Sequence, residues 1–308
     1  MINILITGGA GHVGASLANK LSEKDNVSIV ILDNLSTGKK QNLLPRENIK
    51  FIEGDINKIS GIEAMLKEQP FNYIFHYSAV VGVQRTQDHP LLVFDDIDGI
   101  KNILSIALQH STQRVYFSSS SEVYGEPVEI PQHEMTTPLN SKIPYAIVKN
   151  VGESFLRSYQ KEFNLNYTIL RFFNTYGPLQ SDDFVITKFI KLALENEDLI
   201  IYGDGAQTRT FLHVDDNINF TIECLENNYF NNDVVNVGSD EEMRIDALAE
   251  KVIEMTNSKS KIKFIAPLEE GDMSRRKPDL NKFRSVYQGR LVSIDEGIRY
   301  LIDRFKVS

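Results

Sequence analysis

Ile2-Asn3-Ile4-Leu5-Ile6-Thr7 runs directly into Gly8-Gly9-Ala10-Gly11-His12-Val13-Gly14, and the reading of this junction decides the fold. The first six residues are a β-branched, apolar run of strand length. Beyond the glycines, Val13, Leu17 and Leu21 recur at helical spacing and share one face. Gly8, Gly11 and Gly14 therefore form a GxxGxxG turn between a strand and a helix. Such glycines permit a tight turn, close approach of backbone to a pyrophosphate, and close packing of helix on strand. The amides that open the helix, around His12, Val13 and Gly14, then face the phosphates. The plainer alternative is a glycine-rich turn without a ligand, and the strand before and helix after weigh against it.

Working outward, the alternation continues. Runs of strand length at 28–32, 49–52, 73–76, 115–118 and 167–170 are interleaved with helix-period segments at 13–21, 59–67, 91–108 and 146–163. This pattern predicts an α/β protein with a doubly wound parallel sheet. After Gly177 the alternation loosens, but 234–237 reads as one more sheet strand. A smaller C-terminal lobe is thus expected to interleave with the first, with 1–175 and 212–240 holding a dinucleotide and 176–211 and 241–308 forming the lobe. Asp33 ends the second strand, 19 residues after Gly14, with Asn34 beside it. A carboxylate there accepts hydrogen bonds from a ribose diol and repels a 2′-phosphate, which favours NAD over NADP. Asp55 and Ile56 follow the third strand, where they flank an adenine; Asp55 reads equally well as a helix cap.

With 308 residues the chain can bury a large core and carry one large domain plus a lobe. A formal net charge of −9 argues against a broad nucleic-acid surface. Cys224 is the only cysteine, which excludes an internal disulfide and suits a reducing compartment. Met1 leads straight into a strand-like run and no apolar stretch approaches the length of a membrane span, so a cytoplasmic protein is expected. The histidines are scattered, and no metal site is expected.

Tyr145 and Lys149 stand one helical turn apart in Tyr145-Ala146-Ile147-Val148-Lys149. A free phenol titrates near pH ~10 and is a poor base at neutrality. A cation ~4 Å away, at an effective dielectric of ~20, contributes roughly 4 kcal/mol, enough to bring the phenol toward neutrality against the opposing effect of burial. The spacing alone also occurs by chance in many helices, so its weight comes from its surroundings.

Those surroundings are Leu32-Asp33-Asn34-Leu35-Ser36-Thr37-Gly38, Glu53-Gly54-Asp55-Ile56, Ser118-Ser119-Ser120-Ser121-Glu122-Val123-Tyr124-Gly125, Arg171-Phe172-Phe173-Asn174, Tyr202-Gly203-Asp204-Gly205, Arg209, His213-Val214-Asp215-Asp216 and Arg275-Arg276-Lys277-Pro278-Asp279. In this order, and together with the opening glycines and the Tyr145–Lys149 pair, they resemble the extended short-chain dehydrogenase/reductase family, the nucleotide-sugar epimerases and dehydratases, along almost the entire chain. The resemblance implies a Rossmann-like sheet, an NAD cofactor and a nucleotide-diphosphate sugar as substrate. It implies that Tyr145 takes the proton from a sugar hydroxyl, usually at C4, giving a 4-keto intermediate or product. Lys149 would hold the nicotinamide ribose, and Ser120 would bond the same sugar oxygen. Ser78 and Ser118 would lie beside the cofactor, with Phe173 walling the nicotinamide. Ser121, Asn174, Arg209 and Arg276 would contact the substrate, the arginines through its diphosphate. Glu122 resembles the carboxylate of 4,6-dehydratases and uronic-acid decarboxylases, where it serves as a base at C5 or only as a substrate contact. The helices near 91–108 and 146–163 would form a homodimer interface.

Departures from the family pattern are Asp96 in place of Asn, Tyr77-Ser78-Ala79 after His76, and Tyr287-Gln288-Gly289-Arg290 near the C-terminus. They put the substrate's identity in doubt, not the fold. The epimerase/dehydratase reading therefore stands beside a simple 4-dehydrogenase or a decarboxylase. A non-catalytic NAD-binding sensor or assembly subunit is a competitor of another class, although it would have no need of Ser120, Tyr145 and Lys149 together.

Overall fold

A computed structural model describes residues 1–267 and 273–307; residues 268–272 and 308, which the sequence places in the C-terminal lobe, lie outside the described residues. The centre is a seven-stranded parallel sheet. Its strands are β1 (Ile2–Thr7), β2 (Val27–Asp33), β3 (Ile49–Glu53), β4 (Tyr73–His76), β5 (Arg114–Ser120), β6 (Tyr167–Phe172) and β7 (Asp233–Val237). The spatial order is β7-β6-β5-β4-β1-β2-β3, so the direction of winding reverses between β1 and β4. Ligands of such sheets bind at that reversal, beyond the carboxyl ends of the strands.

The strands form because both faces of the sheet are covered, which selects near-continuous apolar runs. Along β1, Ile4 and Ile6 pack into one apolar cluster and Leu5 into the other, the period-2 alternation of a strand. The helix α1 (His12–Leu21) buries Leu17, Ala18 and Leu21 on the first of these faces. The helices α2 (Asp96–Gln109) and α3 (Pro144–Phe163) cover the other with Ile100, Ile103, Leu104, Val148 and Leu156. Pro144 opens α3, where its missing N–H costs nothing, and Asn164 closes it in the left-handed conformation.

Two expectations about helices change. The segment 91–108 is not one helix: Pro90–Phe94 ends before Asp95, and α2 begins at Asp96. Of 59–67, only Glu63–Leu66 is helical. A third apolar cluster stands apart from the sheet and gathers Phe189, Ile190, Leu248, Val252, Ile298 and Leu301 from helices Val185–Glu195, Ile245–Thr256 and Ile294–Val307. Among the described residues no helix is long and apolar enough to cross a membrane.

Candidate active site

The carboxyl ends of β1, β2, β4, β5 and β6 open into a cleft of about 390 Å³. At the β1–α1 turn, Gly8 has φ +67, and a Cβ there would lie 2.7 Å from Ser78 N. A Cβ on Gly14 would lie 2.3 Å from the Gly8 carbonyl oxygen. No other residue fits either position, so bare backbone forms the cleft wall. His12, Val13 and Gly14 line it at the helix start, where first-turn amides have no partner within the helix. Asp33 is buried at the end of β2 and its carboxylate accepts from Ala10 N at 2.9 Å and Leu35 N at 2.8 Å. Each of its oxygens keeps a lone pair for a further donor. Asn34, Asp55, Ile56 and Ser78 also line the cleft. Asp55 accepts from Asn57 N at 2.9 Å, so it caps the single turn Ile56–Lys58 as well as facing the cavity.

The second group comes from β5 and α3. Ser118, Ser120, Ser121, Glu122, Tyr145 and Lys149 all line the same cleft. Lys149 is buried; its Nζ is 3.4 Å from Ser118 Oγ, 5.0 Å from the centre of the Phe117 ring and 5.7 Å from that of the Tyr145 ring. Burial lowers its pKa from 10.5 to about 8, with the Asp96 carboxylate opposing the fall. Beneath it, His76 shares a hydrogen bond of 2.8 Å with Thr7 Oγ1 and is held neutral, its pKa lowered to about 3 by burial and then by Lys149. Ser120 Oγ accepts from Glu122 N at 3.1 Å and lies within hydrogen-bonding reach of the Tyr145 phenol.

The expected effect of Lys149 on Tyr145 is corrected here. The phenol's pKa is raised, first by burial and then by the Glu122 charge, with Ser120 opposing. The ammonium lies 5.7 Å from the ring centre, and desolvation dominates the phenol's shift.

Glu122 is paired to Arg276: Nη1 lies 2.6 Å from Oε1. Both residues line the cleft, and among the described residues Glu122 Oε2 and Arg276 Nε are buried without a partner. Asn174 also lines the cleft and is pinned by its Nδ2 donating to the Thr210 carbonyl at 2.9 Å. Two expected residues are placed elsewhere. Phe173 is fully buried against Val123 and Tyr124, and its neighbour Phe172 lines the cleft instead. Arg209 is buried outside the lining, its Nη1 donating to the Thr208 carbonyl at 2.8 Å.

Asp96, singled out in the sequence as a departure beside the cofactor, is a wall residue, whereas sequence reading missed Phe184, Val185, Ile186 and Phe211 at the far end. Asp96 is buried, accepts from Val80 N at 2.8 Å and Asn57 Nδ2 at 3.0 Å, and burial raises its pKa. Its departure from the family's Asn was the one signal available. Behind the serines, Ser119 Oγ donates to Glu153 at 2.7 Å, and Glu153 forms a buried fork with Arg171 at 2.8 and 2.7 Å. Burial opposes the ionised Glu153, but the bonds and charge of Arg171 hold its pKa below the ordinary value. This pair joins α3 to β6 and makes the floor of the site rigid.

A family model described as the NAD dependent epimerase/dehydratase family matches residues 4–238. A UDP-N-acetyl-alpha-D-glucosaminuronate decarboxylase of Bacillus cytotoxicus is 34% identical, over 98% of this chain and 97% of that protein. A putative UDP-glucose 4-epimerase of Methanocaldococcus jannaschii is 31% identical, over 98% of each. Among solved structures, a UDP-glucose 4-epimerase of Thermotoga maritima with UDP-glucose superposes with a TM-score of 0.92 at 29% identity, over 99% of each chain. A match across more than half the chain, by a sheet and glycine loop of this kind, makes the protein a member of the NAD-dependent epimerase/dehydratase family.

Proposed function

We propose that this chain oxidises C4 of a sugar linked to a nucleoside diphosphate, with Tyr145 as the proton acceptor. Residues 1–175 and 212–240 would hold NAD, and residues 176–211 and 241–308 the nucleotide sugar. One observation carries the reading: a single cleft joins the glycine cradle and Asp33 to Ser120, Tyr145, Lys149 and the Glu122–Arg276 pair. The cradle fits a dinucleotide, since Gly8 and Gly14 leave backbone bare where a Cβ would collide, and Asp33 offers acceptors to a diol while repelling a 2′-phosphate.

NAD, when bound, supplies a hydride acceptor. The chain's own work is on the proton. Tyr145 Oη takes it from the C4 hydroxyl while Ser120 Oγ holds the same oxygen. Lys149, mostly protonated at pH 7 with its pKa near 8, contributes positive field to both. In the protein alone burial and the Glu122 charge hold the phenol above its ordinary value, and the positive charge of an oxidised nicotinamide would oppose them. Arg276 offers its free Nε, and Glu122 its free Oε2, to the substrate's polar groups. With Arg209 outside the lining, Arg276 is the arginine of the two that faces the substrate, through its diphosphate or through a group at C6.

The Glu122–Arg276 pair favours a second reading of the net reaction. A carboxylate engaged by a guanidinium is less free to take the C5 proton, whereas that guanidinium can hold a carboxylate at C6. With C4 oxidised, a C6 carboxylate is β to a ketone. Its C5–C6 bond breaks with the electron pair entering an enolate, carbon dioxide leaves, and one proton returns to C5. The Bacillus relative named above is a decarboxylase, which supports this reading.

The apolar exposure of Leu91, Leu92, Phe94, Leu108, Ile147 and Phe163 on Pro90–Phe94, α2 and α3 supports a homodimer built on these helices. A composition with one cysteine, Cys224, supports a cytoplasmic setting.

The test is incubation with UDP-, GDP-, CDP- and dTDP-sugars followed by mass spectrometry. Loss of two mass units, of water or of carbon dioxide, or an unchanged mass with inverted C4, separates dehydrogenase, dehydratase, decarboxylase and epimerase. Tyr145→Phe should keep NAD binding and lose turnover by about 10²–10⁴-fold. Turnover equal to the wild type would remove the assigned base, and absence of turnover in both proteins on every sugar would favour the sensor reading.

A further inference from the structure

Outside the cleft, the strap 130–137 crosses the chain at 277–279. Gln132 N donates to the Lys277 carbonyl at 2.7 Å, and Asp279 N donates to the Gln132 carbonyl at 2.8 Å. This register brings together His133, Glu134 and Asp279, one potential ligand atom of each lying within 4.8 Å of the others. His133 and Asp279 are 146 residues apart in sequence, so scattered histidines gave no sign of it.

Glu134 is the second and independent observation. It is only 5% exposed. Its Oε1 accepts from Asn236 N at 2.9 Å, but its buried Oε2 has no partner. Arg171 does not compensate it: that guanidinium reaches only the Glu134 backbone carbonyl, at 3.3 Å, and gives its fork to Glu153. A buried carboxylate oxygen without a donor is costly unless a proton or cation meets it. His133 accepts from Met135 N through Nδ1, which leaves Nε2 for a ligand. The Asp279 oxygens accept from Asn281 N and Nδ2 at 3.0 Å each, and each retains a lone pair. Among the described residues no hydrogen bond joins the three side chains, so they are spaced for something between them.

We propose that His133, Glu134 and Asp279 bind one first-row divalent cation, Zn²⁺. One imidazole and two carboxylates balance the double charge. They select a metal of borderline softness over Mg²⁺ or Ca²⁺, which take all-oxygen sets. His133 is only half-buried, so water completes the coordination. The ion would staple the strap to the segment that carries Arg276, three residues before Asp279, and so hold that guanidinium in the cleft. The proposal does not depend on the reaction, and its assay reads no turnover.

The full chain, tag-free and stripped with EDTA, is titrated calorimetrically with ZnCl₂, MnCl₂ and MgCl₂ in separate runs. The expected result is one equivalent of Zn²⁺ bound more tightly than Mn²⁺ or Mg²⁺, with a Zn²⁺-dependent rise in Tm. His133→Ala should weaken that binding by about a hundredfold or more, because losing even an outer partner of a ligand costs about 10–100-fold. It should also abolish the rise in Tm while leaving NAD binding intact. Asp279→Asn, which keeps one oxygen for the Asn281 amide, gives a second ligand deletion. No saturable uptake near one equivalent, Mn²⁺ or Mg²⁺ bound as tightly as Zn²⁺, or uptake unchanged in both variants would each overturn the site.

Discussion

Replacing Lys149 with methionine should end catalysis and yet stabilise the cofactor-free chain. Lys149 is 4% exposed, and burial lowers its pKa from 10.5 to about 8. The unfolded chain therefore holds the lysine proton more tightly than the folded one. Below pH 8 both states are protonated and the full penalty on folding applies. Between pH 8 and 10.5 the unfolded state binds more protons, so stability rises with pH, and above 10.5 the penalty is gone. At ~1.4 kcal/mol for each tenfold change in proton affinity, the penalty at pH 7 is about 3 kcal/mol. Methionine keeps the length of the stem but loses the ammonium's contacts with the Phe117 and Tyr145 rings, worth about 0.5 kcal/mol or more each. The net gain at pH 7 is then about 2 kcal/mol. Urea unfolding of NAD-stripped wild type and Lys149→Met at pH 7 and pH 10 measures it, provided the slopes match. Titrating groups remote from Lys149 cancel in the difference, whereas His76 and Asp96, which feel its charge, do not. The variant's advantage should fall to about 1 kcal/mol or less by pH 10. A variant less stable than wild type at pH 7, or a difference independent of pH, would refute the account of Lys149 as a cation held against its solvation.

Buried charge elsewhere in the molecule yields two more tests. Glu153→Gln leaves Arg171 as a nearly unexposed guanidinium without its counter-charge, and should lower unfolding stability by about 3–5 kcal/mol; an unchanged urea midpoint would show that the fork is not what secures the floor. Asp33→Asn keeps an acceptor at the end of β2 but removes the charge, so the ratio of NADP to NAD affinity should rise by about tenfold, the effect of ~1.4 kcal/mol of lost repulsion. Equilibrium titration with both cofactors reads it, and an unaltered ratio would move nucleotide selection away from Asp33.

The parts of this protein legible in the sequence are those whose geometry is settled within one element or one turn. β1 and the GxxGxxG junction carry their own instructions, because glycine is demanded where a Cβ would strike the Gly8 carbonyl. The Tyr145–Lys149 spacing placed two side chains on one face of α3, as helical geometry requires. It did not say that the ammonium would lie over the ring, or that desolvation would prevail, since neither dielectric nor rotamer is written in a four-residue interval. The helix expected across 91–108 is interrupted at Asp95, which ends Pro90–Phe94 and precedes α2, and no spacing of apolar residues marks that junction. The choice between Phe172 and Phe173 was lost for a related reason. The chain leaves β6 there and enters Asn174 at φ 41, where strand alternation no longer assigns sides.

Glu122 and Arg276 show the same limit where it matters most. Each was recognisable alone, as a candidate base and a candidate phosphate ligand, and 154 residues separate them. Brought to 2.6 Å, they cease to be independent: the arginine engages the carboxylate that a base would use, and the carboxylate occupies part of the phosphate ligand. In the proposed reaction the chemistry up to the ketone falls to Ser120, Tyr145 and Lys149, which line one cleft and which the sequence displays. The fate of the ketone depends on which substrate group meets Glu122 Oε2 and Arg276 Nε, the two atoms the pair leaves unsatisfied. Reaction outcome in this chain is thus a property of a contact between its two halves, and substrates differing only at C6 are the probes that address it.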